Sequence, residues 1–176
     1  MRMTSTSLIL LGGALGAILC GQASWAGKGQ GDVNPGPLSI DEARSRAELL
    51  HETLDATLHV VHRDFYREDE GLPIPAASLA KVFRALEEKQ GVTLRWLAVD
   101  GEAMNVDHKA RDEFEQAAAK SIHEGQSYES TQDNIYRRAA AITLTSECLK
   151  CHVPNRKSTE NRSAGLIISM RLNGGK

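Results

Sequence analysis

The sequence feature that most constrains this chain is a Cys-x-x-Cys-His run near its end, formed by Cys148, Cys151 and His152. Two thiols three positions apart, with a histidine directly after them, are typical of covalent attachment of haem c. In that chemistry the thiols bond the two vinyl groups of the porphyrin and the histidine binds the iron. The same letters also occur in redox-active dithiols and as half of a zinc site, which needs about four ligands.

The first 26 residues have the three parts of a secretory signal peptide. Arg2 supplies a positive charge, the apolar run SLILLGGALGAILC follows, and Ser24 and Ala26 are small residues before a cleavage point. The apolar run is shorter than the roughly 20 residues that span a bilayer. We therefore expect residues 1–26 to be removed and the mature protein to be periplasmic or otherwise exported. One alternative is that the signal segment is retained and anchors the protein to a membrane. The other is a lipid-modified Cys20.

Cysteine usage favours haem over the other readings of the motif. Cys20 lies in the signal segment, so both cysteines of the mature chain, Cys148 and Cys151, lie in the motif. No separate pair remains for a disulfide framework, and only one of the two knuckles typical of a zinc site is present. A thioredoxin-like dithiol would follow an early strand of a βαβ unit, and no such unit precedes the motif. The sequence therefore predicts one covalently bound haem c.

Hydrophobic periodicity predicts a single domain over 39–176, after a Gly/Pro-rich flexible leader at 27–38. Its first helix begins with a capping box formed by Ser39 and Glu42. One apolar stripe then runs along that helix through Leu50, Leu54, Leu58, Val61 and Phe65. We predict helices over 39–68, 76–91 and 107–125, strands over 92–99 and 164–172, a loop over 126–134, and either helix or strand over 135–145.

The histidines of the first predicted helix are the candidates for a second iron ligand. At 100° per residue, His51 and His62 point beside the apolar stripe, whereas His59 points to solvent. An imidazole that meets a haem edge should border the core. His62 is therefore our first candidate for the distal ligand and His51 the second, with an open or water-bound position third. Trp96, in the first predicted strand, either packs on the porphyrin or belongs to the core.

Composition and charge exclude other classes of function. The chain has a formal net charge of −2 at pH 7, and no basic stripe suggests nucleic-acid binding. No arrangement of a base and a nucleophile stands out, so we expect no enzymatic turnover. The expected partners are a redox protein or a small gaseous or redox ligand.

Three stretches of the chain resemble a known family: VTLRWLAVDGEAMNVDHKARDEFE, DNIYRRAAAITLTSECLKCH and AGLIISM. They are similar to the c-haem PAS-like domain of the Tll type, which is related to periplasmic sensor regions of chemotaxis receptors. The resemblance covers roughly residues 45–172. It implies an α+β fold in which helices flank a central antiparallel sheet. It also implies one haem c attached at Cys148 and Cys151, with His152 as the proximal ligand.

The resemblance further implies electron transfer or haem-based redox or gas sensing. In the Tll type a cysteine of the N-terminal helical region is the distal ligand, but no mature cysteine is left for that place here. In a loose alignment His62 falls near it. No transmitter or receptor segment follows Lys176 in this sequence, so we expect electron transfer in preference to sensing. The alternatives are a cytochrome c′-like gas-binding helical bundle and a haem-free thiol–disulfide oxidoreductase.

Overall fold

The computed structural model describes residues 38–103, 105–149 and 158–173. The predicted signal segment, nearly all of the leader, and the motif residues Cys151 and His152 lie outside the described residues. The helices are α1 Ile40–Asp64, α2 Pro75–Ser78, α3 Ala80–Gln90 and α4 Glu113–His123. The strands are β1 Thr93–Ala98, β2 Tyr128–Gln132, β3 Ile135–Leu144 and β4 Arg162–Arg171.

The four strands form one antiparallel sheet in the order β1-β4-β3-β2. On one face, side chains of α1 and α3 pack on the sheet around Leu166 and Ile168. On the other face, α4 packs around Leu97 and Ile167. The predicted α+β fold with helices flanking a central antiparallel sheet is confirmed. The helical-bundle alternative is wrong, because the sheet supplies the centre of both hydrophobic clusters.

The long first helix lies on the sheet with its small residues innermost. Ala43 and Ala47 are fully buried, which lets the backbone of α1 come close to the strands. The predicted capping box is present: Ser39 Oγ accepts from Glu42 N–H, and the Glu42 carboxylate accepts from Ser39 N–H. The helix ends at Asp64, four residues earlier than predicted. Within the described residues, no helix is both long enough and apolar enough to cross a membrane.

The loop predicted over 126–134 is wrong in its middle, where β2 pairs with the start of β3. The hairpin turns through Asp133 and Asn134, whose φ angles of 51° and 59° suit the type I′ turn that joins two antiparallel strands. β2 lies at the edge of the sheet, and its residues are mostly polar. The sequence there therefore lacks the alternation of apolar and polar residues that marks a half-buried strand. The ambiguous stretch at 135–145 is the strand β3.

The other two predicted helices are shorter than expected. The second is divided into α2 and α3, and Gly91 ends it with a φ of 62°, as a glycine C-cap does. The third begins only at Glu113, because Asp112 is its N-cap and accepts from Glu115 N–H. The predicted strands over 92–99 and 164–172 are confirmed as β1 and β4 within two residues at each end.

Candidate functional site

A small pocket opens between the C-terminal half of α1 and the end of β3. Its walls are mostly apolar, and three side chains with potential metal-binding atoms also line it: His59, His62 and Cys148. The apolar lining residues are Leu58, Ile74, Ala76, Ile142 and Leu144.

Cys148 reaches the pocket from a single helical turn that follows β3. Leu149 N–H donates to Thr145 O at 3.1 Å, which closes the turn, and Leu149 is fully buried beneath it. Thr145 Oγ1 lies 3.4 Å from Cys148 Sγ. The described residues thus include one of the three motif side chains, and that one is at the pocket; Cys151 and His152 lie outside them.

His62 faces the pocket from the last turn of α1. Its ring packs against the ring of Tyr66, with 5.1 Å between ring centroids. Within the described part of the chain, neither ring nitrogen of His62 has a hydrogen-bond partner. An imidazole needs one free nitrogen lone pair to bind a metal, and His62 offers it. The sequence prediction that His62 borders the buried face agrees with this position.

His59 does not point to solvent, so that prediction is wrong. Its Nδ1 lies 2.8 Å from Asp55 O and its Nε2 lies 3.0 Å from Thr143 O. The error comes from taking the apolar stripe as the centre of the buried face. The angle along the helix does not show that the end of β3 lies close enough to α1 for His59 to reach Thr143 O.

His51 is buried and lies outside the pocket. His51 is only 8% exposed, and its Nε2 lies 3.0 Å from Ala141 O. It precedes His62 by three helical turns, which is about 16 Å along the axis. The prediction that His51 borders the core is therefore confirmed, but the structure does not bring it together with Cys148.

Both His51 and His59 contact the same stretch of β3. The pairing of β2 with β3 stops at Ala139, so beyond it only β4 pairs with β3 among the described residues. The carbonyls of Ala141 and Thr143, in that stretch, each face one histidine nitrogen. Two of the three histidines of α1 thus lie against the strand backbone, whereas His62 has no hydrogen-bond partner within residues 38–103, 105–149 and 158–173.

Trp96 supports the pocket wall from behind. Its ring lies 5.0 Å from that of Phe83, and its Nε1–H donates to Ala76 O at 3.3 Å. Ala76 lines the pocket, whereas Trp96 does not. Of the two readings that the sequence left open for Trp96, the structure supports the core position.

Two charged side chains form an ion pair at the end of α1. Arg63 Nε donates to Asp64 Oδ1 at 2.7 Å, and this hydrogen bond holds the pKa of the Asp64 carboxyl below its ordinary value. Asp64 therefore stays ionised at neutral pH. Within the described residues, no three His, Cys, Asp or Glu side chains are grouped to hold a bare metal ion.

Comparison with known proteins gives one family and one fold. A family model described as Tll0287-like matches residues 38–170. The crystal structure of the cyanobacterial heme-protein Tll0287 is similar to this chain with a TM-score of 0.59 and 15% sequence identity. The match covers 78% of this chain and 100% of that one, and at this identity it shows a shared fold. No protein of curated function matches the sequence.

Proposed function

This chain belongs to the Tll0287-like family, and on that premise we propose that it is an exported protein that binds one haem c covalently. The observation that carries the proposal is the pocket, where Cys148 of the motif and His62 of α1 meet although they are far apart in sequence. The printed description of the similar structure as a heme-protein also supports it.

The residues present fit a haem. The pocket has apolar walls, as a porphyrin requires, and its polar groups are a thiol and an imidazole, the two side chains that c-type haem proteins use. In the proposal, Cys148 and Cys151 form the thioether bonds and His152 is the proximal ligand. His62 would be the second iron ligand, because its ring nitrogens have no hydrogen-bond partner among the described residues. His51 Nε2 and both nitrogens of His59 instead lie next to backbone carbonyls.

Electron transfer is the role that this ligand set favours. Haem, when bound, supplies a one-electron iron couple. The motif cysteines of this chain would attach it, and His152 and His62 would bind its iron. With both histidines bound, the iron would have no open position for a gas, so gas sensing would require the loss of His62 from the iron. The proposal includes no enzymatic turnover and a partner that is itself a redox protein.

Covalent attachment is tested by producing the full chain together with the c-type haem maturation machinery. We expect a coloured product whose haem stays with the polypeptide under denaturing conditions. A variant with both Cys148→Ala and Cys151→Ala is the matched control and should lose the haem on denaturation. A colourless wild-type product with the mass of the unmodified polypeptide would reject the proposal and favour the haem-free dithiol.

The distal ligand is tested by comparing His62→Ala with His51→Ala in the haem-loaded protein. We expect His62→Ala to change the optical spectrum from low-spin to high-spin, because the iron loses one protein ligand. His51→Ala should keep the low-spin spectrum, since its imidazole binds Ala141 O. A low-spin spectrum in His62→Ala that matches the wild type would exclude His62 as the ligand.

A further inference from the structure

Phe65 is an apolar side chain on the inward side of α1 that the described protein leaves uncovered. The residue is 69% exposed, although it caps a helix whose inward face is otherwise packed. At 100° per residue, Phe65 points within about 20° of Leu54 and Leu58. Leu54 is only 6% exposed and Leu58 lines the pocket.

Leu49 provides the contrast on the same helix. It is 70% exposed, almost the same as Phe65, but it points about 140° away from Leu54. The exposure of Leu49 needs no explanation, because single apolar residues are common on the solvent side of a helix. The exposure of Phe65 differs, because the same face that buries Leu54 continues to it.

The position of Phe65 relative to the pocket indicates what would cover it. Phe65 follows His62 by three residues, so the two lie on adjacent parts of the same helical surface. Its backbone N–H donates to Val61 O at 3.1 Å, which keeps it in the helical path. Leu58 and His62 line the pocket, and Phe65 extends this surface beyond it.

From this continuity we propose that Phe65 is a haem-contacting residue that shields one edge of the porphyrin from water. The proposal rests on the proposed function, since haem is the occupant. A flat aromatic macrocycle held between Cys148 and His62 offers the apolar surface that an aromatic ring packs against. The small pocket would then be only the inner part of the haem site.

Shielding by Phe65 predicts a measurable effect on the iron. Burial disfavours the more highly charged ferric state, so the midpoint potential depends on how much water reaches the haem. We expect Phe65→Ser to shift the midpoint potential of the haem-loaded protein to a lower value. Leu49→Ser removes an equally exposed apolar side chain and should leave the potential unchanged.

The conservative variant Phe65→Leu completes the test. It keeps an apolar cover without the ring, so a shift smaller than that of Phe65→Ser is expected. A haem-loaded Phe65→Ser whose potential equals those of Leu49→Ser and the wild type would overturn the assignment of Phe65 and leave the proposed function intact. A wild-type chain that takes up no haem under the same conditions would overturn both.

Discussion

The two faces of the sheet are closed in different ways. On the α4 face, packing is so close at Gly165 that an added Cβ would lie 3.1 Å from Ile122 Cδ1 and from Leu97 Cβ. On the α1 face, the core continues to Ile142 and then gives way to the pocket that holds His62 and Cys148. The same strands thus carry one face that is complete by itself and one that leaves room for a cofactor. A rigid back allows the open face to keep its shape.

The α4 face also carries the strongest buried electrostatic cluster on the described chain. Glu115 is only 3% exposed, and its carboxylate accepts from Arg95 at 2.7 Å and from Arg137 at 3.2 Å. Arg137 also donates to Asp112 at 2.6 Å, and its guanidinium lies 4.1 Å from the centre of the Phe114 ring. The cluster links β1, β3 and the start of α4.

The largest effect on the closed face is expected from Glu115→Gln. The substitution leaves Arg95 without its carboxylate partner and Arg137 with Asp112 alone. Removing one partner of a buried ion pair costs about 3–5 kcal/mol of unfolding free energy. Urea denaturation measures it, with the exposed Glu113→Gln on the same helix as the control.

If the two faces are independent, the haem spectrum of folded Glu115→Gln should equal that of the wild type. A Glu115→Gln protein as stable as Glu113→Gln would show that the cluster contributes little to the closed face. A changed spectrum would show that the closed face controls the open one.

A smaller effect is expected on the open face from Trp96→Phe. The variant keeps a ring next to Phe83 but loses the hydrogen bond from Nε1 to Ala76 O. One such hydrogen bond contributes about 0.5–1.5 kcal/mol to stability. Because Trp96 lies behind the pocket wall, we expect a slightly lower melting temperature and full haem loading. Loss of haem together with unchanged stability of the polypeptide would mean that Trp96 contacts the cofactor directly.

The smallest effect is expected from pH at the edge of the closed face. His123 Nδ1 lies 2.7 Å from Asp100 Oδ1, and this hydrogen bond raises the pKa of His123 above its ordinary value near 6.5. The stabilisation is therefore fully present below that value and is lost as the pH rises through the raised pKa. It is small, because the His123 side chain is 72% exposed and screened by water.

Melting temperatures between pH 5 and pH 9 test this pair. The wild type should lose slightly more stability over this range than His123→Gln, which has no charge to lose. Equal slopes for the two proteins would mean that the pair does not contribute. Asp100 has a second structural role, since its Oδ2 accepts from Ser163 N–H at 2.7 Å.

Much of the open face could be predicted from the sequence, because its signals are local. The motif at Cys148 and the capping box at Ser39 each depend on residues within four positions of one another. The helical angle also placed His62 correctly beside the buried face. The sequence prediction failed at His59, whose direction depends on where the sheet lies against α1.

The sequence by itself determined the class of cofactor that we propose and the start of the long helix, since short-range spacing specifies both. Its resemblance to a known family implied the α+β class. Only the tertiary structure decided that β2 exists and that β3 is a strand, because a polar edge strand and an alanine-rich segment acquire their conformation from the strands beside them. It also distinguished His62 from His51 and His59, and Phe65 from Leu49. Helical periodicity gives the relative direction of side chains, but the position at which the sheet ends decides which of them are covered.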